Sequence, residues 1–201
     1  MPIHWRRPAR RPCASRSDAG AGLISFRPLI PDDQGRLWDW LHIALWDPPP
    51  AGLRPRETLE APHVRIYAEH WGRPSDLGIV IQVDGIDAGA CWMRLLPPGE
   101  GLACVDAATP QLGIALLERY RGRGLGERLM RTALAAAGAA GYGQVALTVH
   151  PQNPAVRMYE RCGFEQREVR NGYYLMVATC VDCDRPSARV RPGLAGEQVS
   201  R

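Results

Sequence analysis

Residues 119–126, RYRGRGLG, hold three glycines and three arginines, and they stand between an apolar run that starts at Gln111 and a helical pattern that starts near Leu125. A strand that passes straight into a helix through bare glycines belongs to an α/β architecture, because that joint is where such folds meet anionic ligands. The start of a helix has unpaired N–H groups and the positive end of the macrodipole. Gly122, Gly124 and Gly126 clear side chains from those amides and permit the positive φ angles that aim several of them at one point, while Arg121 and Arg123 add charge at the rim. The segment therefore suits a pyrophosphate. It is not a Walker loop, since no Gly-Lys-Ser/Thr follows and the chain has no lysine. Nor does it have the register of a dinucleotide fingerprint.

The flanking pattern is mixed. "LISFRPL" alternates as a first strand. Asp32 or Asp33 can cap a helix whose Leu37, Trp40, Leu41 and Leu45 recur at helical spacing, and a weaker helical segment follows, broken near Pro62. Asp84-Gly85 and Asn171-Gly172 each sit between apolar runs as hairpin turns. "QLGIALL" is a fourth strand and "QVALTVH" a fifth; the helix between them carries a stripe of Leu125, Leu129, Ala133, Ala136 and Ala140 and runs to about Gly141. The expected order is β-α-α-β-β-β-α-β-α-β-β.

Composition sets bounds on function. With 45% hydrophobic and 23% charged residues among 201, the chain suits one ordinary domain, and no apolar run is long enough for a membrane span. The net charge of +4 sits in residues 1–18, where five arginines face one aspartate; the remaining 20 basic and 20 acidic residues cancel. That argues against a nucleic-acid-binding domain. Residues 1–22 are expected to be a disordered Arg-rich arm, whether a transit segment, an early start or a functional arm; 23–180 the folded domain; 181–201 a flexible tail. Without an apolar leader in its first 20 residues, the chain is expected in the cytoplasm with reduced cysteines. Cys180 and Cys183 have the spacing of half a zinc site, but no second pair exists, so no metal is expected.

A second segment, Val149 to Phe164, reads VHPQNPAVRMYERCGF. Asn153 can cap a short helix, Pro154 suits its first position and Gly163 its end. Ala155, Met158, Tyr159 and Cys162 share one face, with Arg157, Glu160 and Arg161 pointing away. The run from Arg121 to Gly126 matches R/Q-x-x-G-x-G/A, and Val149 to Phe164 resembles V-x-x-x-N-x-x-A-x-x-x-Y-E-x-x-G-F, with one residue fewer between Asn153 and Ala155. Both are signatures of the GNAT superfamily of acyl-CoA-dependent N-acyltransferases, and in this order the resemblance covers roughly residues 24 to 180. It implies an α/β (α+β) fold with a mixed, mostly antiparallel central sheet, strands 4 and 5 splayed, and helices on both faces. It also implies acetyl-CoA as co-substrate, its pantetheine paired with strand 4 around Ala115 to Leu117 and its pyrophosphate held by Arg121, Gly122, Arg123, Gly124, Leu125 and Gly126. By the same resemblance Asn153 holds CoA, a strand-4 N–H near Leu116 meets the oxyanion, and Tyr159 protonates the departing thiolate.

The resemblance implies transfer to a primary amine of a small molecule or peptide. Gln111 stands where many relatives carry a strand-4 glutamate, so the base is open among Asp106, His63, Glu69 and His70, with Glu118 too near the phosphate loop. Trp38, Trp40, Trp46, His63, Tyr67, Trp71, Tyr173 and Tyr174 either shape an acceptor pocket or fill core and dimer contacts; a homodimer stays open. The alternative class is a domain that binds acyl-CoA without turnover, and a third is a nucleic-acid partner for the Arg arm.

Overall fold

A computed structural model describes residues 22–180. The expectations placed on residues 1–21 and 181–201, including Cys183, lie outside the described residues. The helices and strands follow the expected order. The strands are β1 (Ile24–Pro28), β2 (Leu77–Val83), β3 (Ile86–Arg94), β4 (Gln111–Leu116), β5 (Gln144–Val149), β6 (Phe164–Arg170) and β7 (Tyr173–Thr179). The helices are α1 (Gln34–Ala44), α2 (Pro62–Arg65), α3 (Leu125–Ala139) and α4 (Val156–Arg161). Both hairpin turns form at the expected pairs, with positive φ at Asp84 and Gly85 and again at Asn171 and Gly172.

All seven strands join one sheet in the order β1-β2-β3-β4-β5-β7-β6. Every neighbouring pair is antiparallel except β4 and β5, which run parallel and meet at a single register pair, Gln111 with Ala146. Beyond it the two strands part. The sheet thus has an opening in its middle, with α3 and α4 packed over one face and α1 and α2 over the other.

Alternation along β3 feeds both faces. Cys91 and Met93 join Leu125, Leu129 and Ala133 of α3, whereas Ala90 and Trp92 join Leu37, Trp40 and Leu41 of α1. The α3 stripe departs from the expected one toward its end. Ala137 and Met130 are buried, Ala136 is half-buried, Ala140 is exposed, and the helix stops at Ala139. The cause is geometric: the buried positions 125, 129, 133 and 137 step by four, and on a helix of 3.6 residues per turn each such step drifts about 40° round the axis, so the buried line leaves 136 for 137.

Asp33 is not the side-chain cap of α1. Its carboxylate accepts from Arg27 at 2.6 and 2.9 Å and from the Ile30 N–H at 3.0 Å. These bonds hold it well below the usual carboxylate range, chiefly through Arg27. A cation already present on β1 outcompetes the helix amides. On the α1/α2 face, Arg94 and Asp76 form a fully buried pair at 2.6 Å. Arg94 also donates to the Ile66 and Glu69 carbonyls, both at 2.8 Å, and so ties the segment after α2 to the sheet.

Candidate active site

The opening between β4 and β5 is built from backbone. Leu117 N–H donates to Ala88 O at 2.9 Å. Inward and outward groups alternate along an antiparallel ladder, so Ala115 and Gly113 also bond β3. The N–H groups of Ile114 and Leu116 then face β5 in the region where no register pair joins the two strands. This corrects one expectation. Leu117 has both backbone groups engaged, since its C=O accepts from Tyr120 at 2.9 Å. Ile114 and Leu116 are the open positions of the strand.

The glycine segment turns the chain from β4 into α3. Gly122 and Gly124 have φ of 71° and 74°, where a side chain would be strained, and the space beside each is open. Gly126 does not take the expected positive φ: it lies inside the helix. A Cβ there would stand 3.5 Å from the Leu116 side chain and 3.9 Å from Met158. Both are ordinary contacts, so neither space nor φ demands glycine at this position, where the end of β4 and the start of α4 meet α3. Among the described residues no side chain caps α3, and the first bond returning to Gly124 O comes from Arg128. The amides of Leu125, Gly126 and Glu127 are therefore without helical partners. Leu125 anchors the turn in the core. Arg123 is exposed, and Arg121 folds back, its Nε donating to Leu116 O at 3.0 Å. The cradle fits a diphosphate: bare amides, open space and two arginines.

Across the opening, Asn153 Oδ1 accepts the Ala155 N–H at 2.9 Å, a capping bond formed although regular helix starts only at Val156. Glu127 accepts from Arg131 and from Arg161, both at 3.0 Å, and so pins α4 to α3. The face of α4 is as expected: Tyr159 and Cys162 are buried, Ala155 and Met158 half-buried, and Arg157, Glu160 and Arg161 exposed. Tyr159 tilts against Phe164 with ring centroids 5.8 Å apart. Burial, with smaller contributions from the neighbouring Cys91 and Cys162 thiols, pushes its phenol well above the usual range, so it stays protonated at neutral pH.

Asn153 and Tyr159 line a cleft of about 570 Å³ that runs through the opening to the α1/α2 face. Of the aromatics noted in the sequence, Trp46, His63, Tyr67 and Tyr173 line it. Trp40 and Trp71 are core, and Trp38 packs beside them. Tyr67 donates to Gln111 Oε1 at 2.9 Å, and Gln111 also accepts from Ala103 N–H and donates to Glu100 O. Gln111 is thus a fully engaged structural stitch. Among the base candidates only His63 lines the cleft. Asp106 caps Ala108 and Thr109, Glu69 pairs with Arg65, and neither it, His70 nor Glu118 reaches the cleft.

Among the lining residues that carried no site expectation from the sequence are Trp92, Arg54 and His150. Arg54 grips Asp47 through Nε at 2.7 Å and Nη2 at 2.8 Å, and Nη2 also donates to the Tyr173 hydroxyl at 2.7 Å. That clamp, led by the Arg54 bond, holds the Asp47 carboxyl below its usual range. His150 stands edge-on between Trp46 and Tyr173, at 6.1 and 5.6 Å, with its Nδ1 accepting the Gln152 N–H at 3.2 Å. Only adjacency to the Asn153 motif marked His150; nothing in the local pattern marked Trp92 or Arg54.

The profile of the Acetyltransferase (GNAT) family matches residues 37–164. No curated protein matches in sequence. Solved structures do match in fold. The PaiA N-acetyltransferase of Thermoplasma acidophilum, in complex with coenzyme A, is 18% identical with a TM-score of 0.58, over 78% of this chain and 99% of that one. The aminoglycoside acetyltransferase AAC(6')-Ib, with coenzyme A and kanamycin, is 21% identical with a TM-score of 0.54, over 78% and 95%. A chimera of spermidine N-acetyltransferase SpeG from Vibrio cholerae and hSSAT is 18% identical with a TM-score of 0.53, over 78% and 95%.

Proposed function

Because the chain belongs to the GNAT acetyltransferase family, we propose that it transfers an acetyl group from acetyl-CoA to a primary amine within a ternary complex. The observation that carries this reading is the convergence of the uncapped start of α3, the open N–H groups of β4 and the protonated Tyr159 on one opening in the sheet.

In this reading the diphosphate lies on the amides of Leu125 to Glu127, reached across Gly122 and Gly124, with Arg121 and Arg123 at the rim. The pantetheine arm enters the opening and pairs with β4 at Ile114 and Leu116, while Asn153 borders it. The amine nitrogen attacks the thioester carbon. A C–N bond forms, the C–S bond breaks, and charge developing on the carbonyl oxygen meets the Leu116 N–H. The leaving sulfur takes the Tyr159 phenol proton. The proton lost by the amine goes to His63, which alone among the candidate bases lines the cleft. His150 is unsuited to the role of base, because with Nδ1 accepting the Gln152 N–H its neutral form carries the proton on Nε2.

Replacing Tyr159 by Phe tests the assignment. Thiol release from acetyl-CoA should fall by roughly 10²–10⁴-fold while calorimetric CoA affinity is kept. Unchanged turnover removes Tyr159 from the chemistry, and turnover absent even in wild type with every amine, with CoA still bound, favours the non-catalytic acyl-CoA-binding alternative.

A further inference from the structure

We infer that the amine acceptor is a small molecule bearing a carboxylate, an amino-acid-like substrate rather than a polycation. The inference rests on the acetyl-transfer reading above and specifies which amines that site takes.

Its first support is the charge of the cleft. Among the described residues no Asp or Glu lines it; the charged or titratable nitrogen groups there are Arg54, His63 and His150. Asp47 is not among the lining residues and is clamped by Arg54 and Tyr173. A ligand with several ammonium groups would give up water and find no counter-charge.

The second support is independent of charge. Trp92 Nε1 is a buried polar side-chain atom without a hydrogen-bond partner among the described residues, on a residue that is 1% exposed and lines the cleft. Its indole lies flat across Gly113 of β4. A Cβ at Gly113 would stand 2.7 Å from the Cε2 atom that bears Nε1 and 2.6 Å from Cζ2. Only glycine permits that placement, and it sets the indole against the opening strand on the α1/α2 face. An indole N–H is a donor and nothing else, so an acceptor atom must satisfy it. Arg54 adds donor capacity: its bonds to Asp47 and Tyr173 use Nε and Nη2, and no described residue engages Nη1. The acceptor capacity of the neighbouring His150 Nδ1 is already taken by Gln152. A cleft with spare donors, no carboxylates and aromatic walls of Trp46, Tyr67 and Tyr173 fits an apolar or aromatic amine whose carboxylate oxygens take the Trp92 and Arg54 donors.

Matched acceptors test this on the full chain with acetyl-CoA: L-phenylalanine against phenethylamine, L-tyrosine against tyramine, then L-phenylalanine methyl ester, spermidine and kanamycin. The expected result is a kcat/KM at least roughly ten-fold higher for the carboxylate member of each pair than for its decarboxylated partner, with the ester and both polycations below it. Trp92→Phe keeps the ring and deletes the N–H. It should raise the KM of the carboxylate acceptor about ten-fold and leave CoA affinity unchanged, collapsing the preference over the matched amine. The wild-type panel stands by itself if that variant does not fold. Preference for a decarboxylated amine or a polycation overturns the inference, as does failure of every carboxylate-bearing amine while acetyl-CoA binds. Absence of CoA binding overturns the acetyl-transfer reading instead.

Discussion

The two ends of the cleft are made from different materials. At the α3 end the functional groups are main-chain amides, exposed because Gly122 and Gly124 hold positive φ and no side chain among the described residues caps the helix. At the α1/α2 end they are side chains, Trp92, Arg54, His63 and Tyr173, delivered by four separate parts of the chain. The first kind needs one short segment to fold correctly. The second depends on a distant scaffold, above all on the buried Arg94–Asp76 pair that ties the α2 segment, and Tyr67 with it, to β3. A backbone site is thus insensitive to events far off, and a side-chain site inherits every weakness of its frame.

That contrast can be broken most forcefully at Asp76. Asp76→Ala leaves the Arg94 guanidinium buried without its carboxylate and should cost about 3–5 kcal/mol in urea denaturation; a loss below about 1 kcal/mol would show that the frame does not depend on the pair. Next in size is His63→Gln, expected to lower kcat about 10²-fold, or ~2.7 kcal/mol of barrier, with CoA affinity intact. Retained kcat would move the base elsewhere and leave the acceptor end without a catalytic part. Gly124→Ala probes the other end. Forcing a Cβ into the left-handed region should cost about 1–2 kcal/mol of stability. It should also weaken CoA binding measured by calorimetry while the kcat of the saturated enzyme changes little.

The smallest effect is alkaline. The folded state raises the Tyr159 phenol, so its contribution is fully present below the unfolded phenol value of about 10 and is lost as pH climbs beyond it. Burial raises the Cys91 thiol in the same direction, and its part begins to fade above about 8.5. Melting temperature should therefore fall in two stages above neutrality, and Tyr159→Phe should shrink only the later one, to which the raised phenols of Tyr67, Tyr142 and Tyr173 also contribute. An unaltered alkaline profile in that variant would mean the phenol is solvated.

Much of the fold was legible because its signals are local. Asp84-Gly85 and Asn171-Gly172 are turns wherever they stand, since both residues accept positive φ. Asn153 caps because its side chain reaches its own backbone two residues on. Two expectations that needed correction turned on a distant competitor. Asp33 was drawn from its helix by Arg27, and Leu117 was spoken for by Ala88 on the neighbouring strand.

By itself, then, the sequence determined the order of elements, the bare-amide turn into α3 and the helix that carries Tyr159, because each is set by residues within a few positions of one another. Only the tertiary structure decided that β4 and β5 separate after one pair, that Gln111 is a stitch, and that Trp92 lies across Gly113 with an N–H unanswered among the described residues. Those outcomes depend on which remote groups compete for the same hydrogen bond or the same space, and that competition is settled by packing, not by spacing along the chain.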